Sequence, residues 1–157
     1  MTAPTRTSVT VEVQIAVPVE HAFAVFTENF DAVKPHDHNM LAVPIERTEL
    51  QPWAGGTIRD IGIDGSVCTW ARVLEVDPPH RILFTWDISP EWKVETDLAQ
   101  TSEVEVRFAG DGSGSTLVTL EHRHLDRHRP GWESFLRLEG DDGWGLYLTR
   151  LKQAAER

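Results

Sequence analysis

Hydrophobic and polar positions alternate from Ser8 to Ala16 (SVTVEVQIA): Val9, Val11, Val13 and Ile15 fall on one face, Thr10, Glu12 and Gln14 on the other. A period of two is the mark of a half-buried strand. In VEHAFAVFTENF the period lengthens, with Val19, Ala22, Phe23 and Phe26 at helical spacing and Pro18 suited to the first helical turn. Pro35 and the polar KPHDHN end this helical region in a loop.

From Ile45 the pattern returns to short runs rich in β-branched and aromatic residues: IERTELQP, TIRDIGI, SVCTWARVLEV and RILFTWDI. Gly55-Gly56, Asp64-Gly65 and Pro78-Pro79 separate them, as the turns of an antiparallel meander do. Proline cannot donate to a β-ladder, so Pro78-Pro79 belongs outside the paired region and the chain re-enters the sheet at Arg81. EVEVRFAG and TLVTLEHRHL form two further alternating strands around the loop from Gly110 to Ser115. The last segment changes period again. Trp144, Tyr147, Leu148 and Leu151 mark one helix face, continued backwards by Trp132, Phe135 and Leu136. Gly140, Gly143 and Gly145 interrupt it, and each interior glycine costs roughly 1 kcal/mol relative to alanine, so a kink or break is expected near 140–143.

The order of elements predicts an α+β fold: a curved antiparallel sheet of six or seven strands wrapped round a long C-terminal helix, with two short helices after the first strand. A helix laid across a curved sheet leaves a gap suited to a ligand. The aromatic row of RILFTW places Phe84 and Trp86 with Ile82 on one face, and Phe108 lies with Val104 and Val106 on another. Aromatic core packing and the lining of a cavity are both consistent with such rows.

The sequence holds 157 residues, 15 Lys and Arg against 25 Asp and Glu, and a formal net charge of −10. That length suits one domain, expected at 8–157 behind a disordered N-terminus at 1–7. The acidic balance argues against nucleic acid and against anionic membranes. No run approaches the roughly 20 apolar residues of a membrane span, MTAPTRTS lacks the apolar core of a signal peptide, and Cys68 is the only cysteine. The expected location is cytoplasmic.

Several side chains are candidates for chemistry. Val118, Leu120, His122 and His124 share a strand face, which makes the two imidazoles either polar anchors or acid/base groups at a cavity mouth, or rings hydrogen-bonded where the strand leaves the core. In the first case His122→Ala lowers ligand affinity while the fold persists. Asp60, inside TIRDIGI, is either a buried carboxylate paired with Arg59, Arg72 or a ligand, or a solvent-facing acid on the convex side, as the rarity of buried Asp suggests. His36 and His38 of HDH, with His122, His124 and His128, supply nitrogens for a metal, but no Cys or helical His-Glu-x-x-His spacing supports one. No metal, cofactor or catalytic residue is therefore assigned. Cys68 has no local basic partner and reads as a small hydrophobe.

Taken in order, AVPVEHAFAVF, Gly55-Gly56, DGSVCTWARVLEVDPPHRILFTW, EVEVRF, TLVTLEHRHL and Gly143-Trp144 resemble the START-like, or SRPBCC, superfamily. Within it the chain is similar to the family named after the C-terminal domain of the heat-shock-protein-90 ATPase activator. Where such proteins often carry a Trp pair after the first helix, this chain reads Ala32-Val33-Lys34, and it has His124 where they commonly have glycine. The resemblance implies a helix-grip fold and a cavity for an apolar or amphipathic small molecule. Its candidate lining is Asp60, Trp70, Phe84, Trp86, Phe108, His122, His124, Phe135 and Trp144. Binding of such a ligand is the expected function. The alternatives are an enzyme using His122, His124 or Asp60 as acid/base groups, and a chaperone-interaction domain, which a pull-down against the chaperone would reveal.

Overall fold

The computed structural model describes residues 6–157. The expected disorder at 1–7 falls, for residues 1–5, outside the described residues. Arg6 pairs with Glu139, and the Thr7 carbonyl accepts a hydrogen bond from the Leu125 amide.

The alternating segments become seven strands: β1 (Val9–Ile15), β2 (Ile45–Leu50), β3 (Thr57–Gly62), β4 (Val67–Asp77), β5 (Arg81–Trp86), β6 (Ser102–Gly110) and β7 (Thr116–Arg123). They form one antiparallel sheet in the order β1-β7-β6-β5-β4-β3-β2. Pro78 and Pro79 lie between β4 and β5, outside the ladder as their missing N–H requires. Because β1 and β2 occupy opposite edges, the chain between them must cross the sheet. It does so through α1 (Val19–Glu28) and α2 (Phe30–Val33). Phe23 and Phe26 of α1 meet Phe108 of β6 edge-on, with ring centroids 5.2 and 5.8 Å apart. They fill one half of the concave face.

The opposite face of β5, β6 and β7 carries the polar half of the alternation. Glu105 there takes ion pairs from Arg81 and Arg107, and Glu103 takes them from Arg123 and Arg127. The Glu103 pairs are partly exposed and contribute little, about 0–1 kcal/mol each, whereas the Glu105 carboxylate is itself buried. No helix among the described residues is long and apolar enough to cross a membrane.

The C-terminal helical pattern divides at the glycines as expected. Trp132–Glu139 winds as a 3-10 segment, Gly140 leaves the helical region, and α3 (Trp144–Ala155) begins after a turn. Trp144, Tyr147, Leu148 and Leu151 are buried on its inner face. The turn needs Gly143 for close approach: a Cβ there would strike the Leu138 carbonyl oxygen and lie 2.7 Å from the Leu138 Cα. Backbone cannot yield as a side chain can, so Gly143→Ala is expected to destabilise by about 1–3 kcal/mol, as overpacking does. Denaturant midpoints read this, and an unchanged midpoint would show that the turn can open at no cost.

Candidate functional site

The half of the concave face that α1 leaves open is a cavity of about 530 Å³. Trp70 of β4 and Trp86 of β5 form its sheet side, Phe135 and Leu138 of the 3-10 segment its lid side, and Trp144 and Tyr147 of α3 its far wall. Trp86 is the centre of the aromatic packing, edge-on to Trp70 at 5.8 Å, Trp144 at 5.3 Å and Phe135 at 6.1 Å. Its indole N–H is buried without a partner among the described residues. Trp92 stands at the mouth, 57% exposed and edge-on to Phe135 at 6.0 Å. Its φ of 62° lies in the left-handed region, which a bulky residue rarely adopts.

A buried ion pair underlies the cavity. Lys34, the residue after α2, lines it and donates from Nζ to Asp60 Oδ2 at 2.9 Å. Both side chains are almost wholly buried. Asp60 Oδ1 accepts from the Thr48 hydroxyl at 2.7 Å and from Trp70 Nε1 at 3.2 Å. Strand register produces this convergence: Thr48 of β2 and Cys68 of β4 are the direct neighbours of Asp60, and Trp70 lies two residues beyond Cys68 on the same face. The Lys34 ammonium also lies 4.7 Å from the Trp70 ring centroid, a cation–π contact. Burial pushes the Lys34 ammonium below the usual lysine range, with the Asp60 carboxylate pulling the other way. The Lys34 backbone is fixed from α3, where Arg150 donates to the carbonyls of Val33 and Lys34.

Other titratable groups line the same space. Burial pushes the His38 imidazole down and the Tyr147 phenol far up, so both stay neutral near pH 7. Asp37, Arg137 and Asp142 are exposed lining residues. The Cys68 thiol is buried and pushed up by burial, which keeps it protonated.

Of the candidates read from the sequence, Trp70, Trp86, Phe135 and Trp144 line the cavity. Asp60 lies behind Lys34 and Trp70. It is not solvent-facing, and its partner is neither Arg59, which pairs with Glu49, nor Arg72, which pairs with Asp87. Phe84 packs behind Trp70 and Phe108 beneath α1, so both are core and not lining. His124 does not share the face of His122. The strand ends at Arg123 and the chain turns through φ 61° at His124, which leaves that ring exposed.

His122 is fully buried behind Trp144, and its ring is not at the cavity mouth. Trp144 Nε1 donates to its Nδ1 at 3.0 Å. Burial holds the ring neutral, so its proton is on Nε2 and is donated to Ser102 Oγ at 2.6 Å. The Ser102 hydroxyl then donates to His128 Nε2 at 2.7 Å. That fixes the His128 proton on Nδ1, which has no partner among the described residues. The HDH histidines separate: His36 bonds to Asp31, while His38 packs on Tyr147. Among the described residues no three His, Cys, Asp or Glu side chains gather as metal ligands would.

Sequence reasoning missed Lys34 as a site residue. Its one signal was its position in Ala32-Val33-Lys34, where similar proteins carry aromatic residues.

Residues 16–156 match the family described as "Activator of Hsp90 ATPase homolog 1-like protein". Among solved structures, the chain is 36% identical to an anthrahydroquino-gamma-pyrone synthase, Txn09, solved in complex with a compound designated SUM; the match covers 94% of this chain and 96% of that one with a TM-score of 0.65. The self-sacrificing resistance protein CalC from Micromonospora echinospora is 23% identical over 95% of this chain and 94% of its own, with a TM-score of 0.66. The protein NE0264 from Nitrosomonas europaea is 16% identical over 94% and 92%, with a TM-score of 0.64. These last two likenesses speak to the fold alone. No curated protein sequence matches the chain.

Proposed function

The chain belongs to the activator of Hsp90 ATPase homolog 1-like protein family, and from that membership we propose that its cavity binds a small, flat, largely apolar aromatic molecule of the polyketide kind. The observation that carries this reading is the lining: four tryptophans, Phe135 and Tyr147 surround about 530 Å³, within the usual range for small-molecule pockets. Indole walls favour flat π-systems over alkyl chains, since offset and edge-on aromatic contacts add to simple burial. A relative that is a synthase of a fused aromatic pyrone supports the same ligand class.

Native mass spectrometry of freshly purified protein, and titration with 2-hydroxyanthraquinone followed by tryptophan emission, test the reading. Saturable one-to-one quenching is expected. Trp92→Ala, at the exposed mouth, should weaken binding about 2- to 12-fold, the equivalent of one aromatic contact. Absence of both a co-purifying molecule and saturable quenching would overturn the reading.

A second reading, ring closure on such a molecule, is favoured by the synthase activity of that 36% identical relative. Its acid/base groups would be Lys34, His38 and Tyr147, which line the cavity, and not His122, His124 or Asp60. Loss of turnover with binding retained in Lys34→Met combined with Asp60→Asn, which leaves no buried charge unpaired, would support it.

A further inference from the structure

We propose that the cavity takes its aromatic ligand as an oxyanion, a phenolate or enolate, with the charged oxygen held by the Lys34 ammonium. This rests on the ligand reading above and adds to it the ionisation state and the group that recognises it.

The first support is the polarity of the buried pair. Asp60 is enclosed by three donors, from Lys34, Thr48 and Trp70, and does not line the cavity. Lys34 does line it, and one of its three N–H groups meets Asp60. The pair therefore turns its positive end toward the ligand. The Lys34 side chain is almost wholly buried, and a buried charge is screened far less than one at the surface.

The second support is the balance of the other facing groups. Tyr147 lines the cavity, stays a neutral phenol and can donate. His38 stays neutral. The Cys68 thiol beside the pair is protonated, and the Arg150 guanidinium is bound to backbone carbonyls. The carboxylates of Asp37 and Asp142 and the guanidinium of Arg137 are exposed and solvated at the mouth. The interior thus offers donors and one cation, and its acids are outside or already satisfied.

The third support concerns which anion fits. Arginine presents a planar fork that matches the two oxygens of a carboxylate or phosphate, whereas a lysine is a point charge suited to a single oxygen. A hydroxyl on a flat ring presents one such oxygen in the ring plane. On binding, that hydroxyl releases its proton to the buffer, its O–H electron pair stays on oxygen, and Lys34 keeps its own proton.

The test uses 2-hydroxyanthraquinone, whose phenolate absorbs at longer wavelength than its phenol, titrated from pH 5 to 10 with and without excess protein. The bound probe should ionise at least one pH unit lower than the free probe, so that about ten times as much phenolate forms at a given pH below its free pKa. Because Lys34→Met alone strands the Asp60 carboxylate, the comparison variant is Lys34→Met with Asp60→Asn, in which the amide oxygen still accepts from Thr48 and Trp70. That variant should still quench with the probe but leave its ionisation at or above the free value. Unsubstituted anthraquinone should bind parent and variant alike. Quenching without an ionisation shift in the parent overturns the oxyanion inference and leaves the ligand reading standing. A shift that survives in the double variant overturns the assignment to Lys34. No quenching by either probe defeats the ligand reading itself.

Discussion

Asp60→Ala should lower unfolding stability by about 3–5 kcal/mol, the usual cost of breaking a buried ion pair from one side. The loss comes less from the attraction removed than from what remains. The Lys34 ammonium would be buried with no carboxylate, and the Thr48 hydroxyl and Trp70 N–H would lose their acceptor. Lys34→Met with Asp60→Asn should recover more than half of that loss, because no charge is left uncompensated and both donors keep an oxygen. Denaturant unfolding of the parent and the two variants separates the cases. If the double variant is as unstable as Asp60→Ala, the pair stabilises the fold by its attraction, and desolvation of the stranded ammonium is not the dominant cost.

The strands were legible because period-two alternation reports directly which residues share a face: Val104, Val106 and Phe108 of β6 and Val118, Leu120 and His122 of β7 are all buried, while the irregular registers of β2, β3 and β4 break the alternation there. The break at Gly140–Gly143 was legible because glycine carries its backbone cost in the sequence itself. What alternation cannot report is position along the curved sheet. Phe108 and Trp86 both face inward, yet α1 covers Phe108 and leaves Trp86 open, and that difference is set by where Phe23 and Phe26 pack. His124 was misplaced because the period was extended one residue beyond the strand, across a backbone reversal that a non-glycine residue gives little warning of. The Lys34–Asp60 pair was hidden for a third reason. It joins the end of α2 to β3 across 26 residues, and neither residue has a local pattern that names the other.

The chain from Trp144 through His122 and Ser102 to His128 leads to the second large effect. His122→Ala should cost about 2–4 kcal/mol near pH 7. It strands the Trp144 N–H and a bond of Ser102, at about 1–3 kcal/mol per buried group, and leaves a void behind a cavity wall. This differs from the sequence-based expectation that the change would spare the fold and act on affinity, because the ring supports Trp144 and does not itself line the cavity. The same chain predicts an acid dependence. Burial holds the His122 pKa well below 6.5 and that of His128 down to about 4, so between about pH 6.5 and 4 the unfolded chain binds more protons than the folded one. Their stabilisation is full above pH 6.5 and is lost as pH falls through that window. His38, also lowered, adds a smaller part from its half-buried position, while Glu95 opposes the shift at His128. From pH 6.5 to 5 the surface carboxylates remain largely ionised, so the slope there reports the histidines. Unfolding midpoints of the parent should fall over that interval, and those of His122→Ala should fall less steeply from their lower start. Parallel slopes would mean that the His122 ring does not resist protonation in the folded protein, and the acid dependence would then rest on His128 and His38.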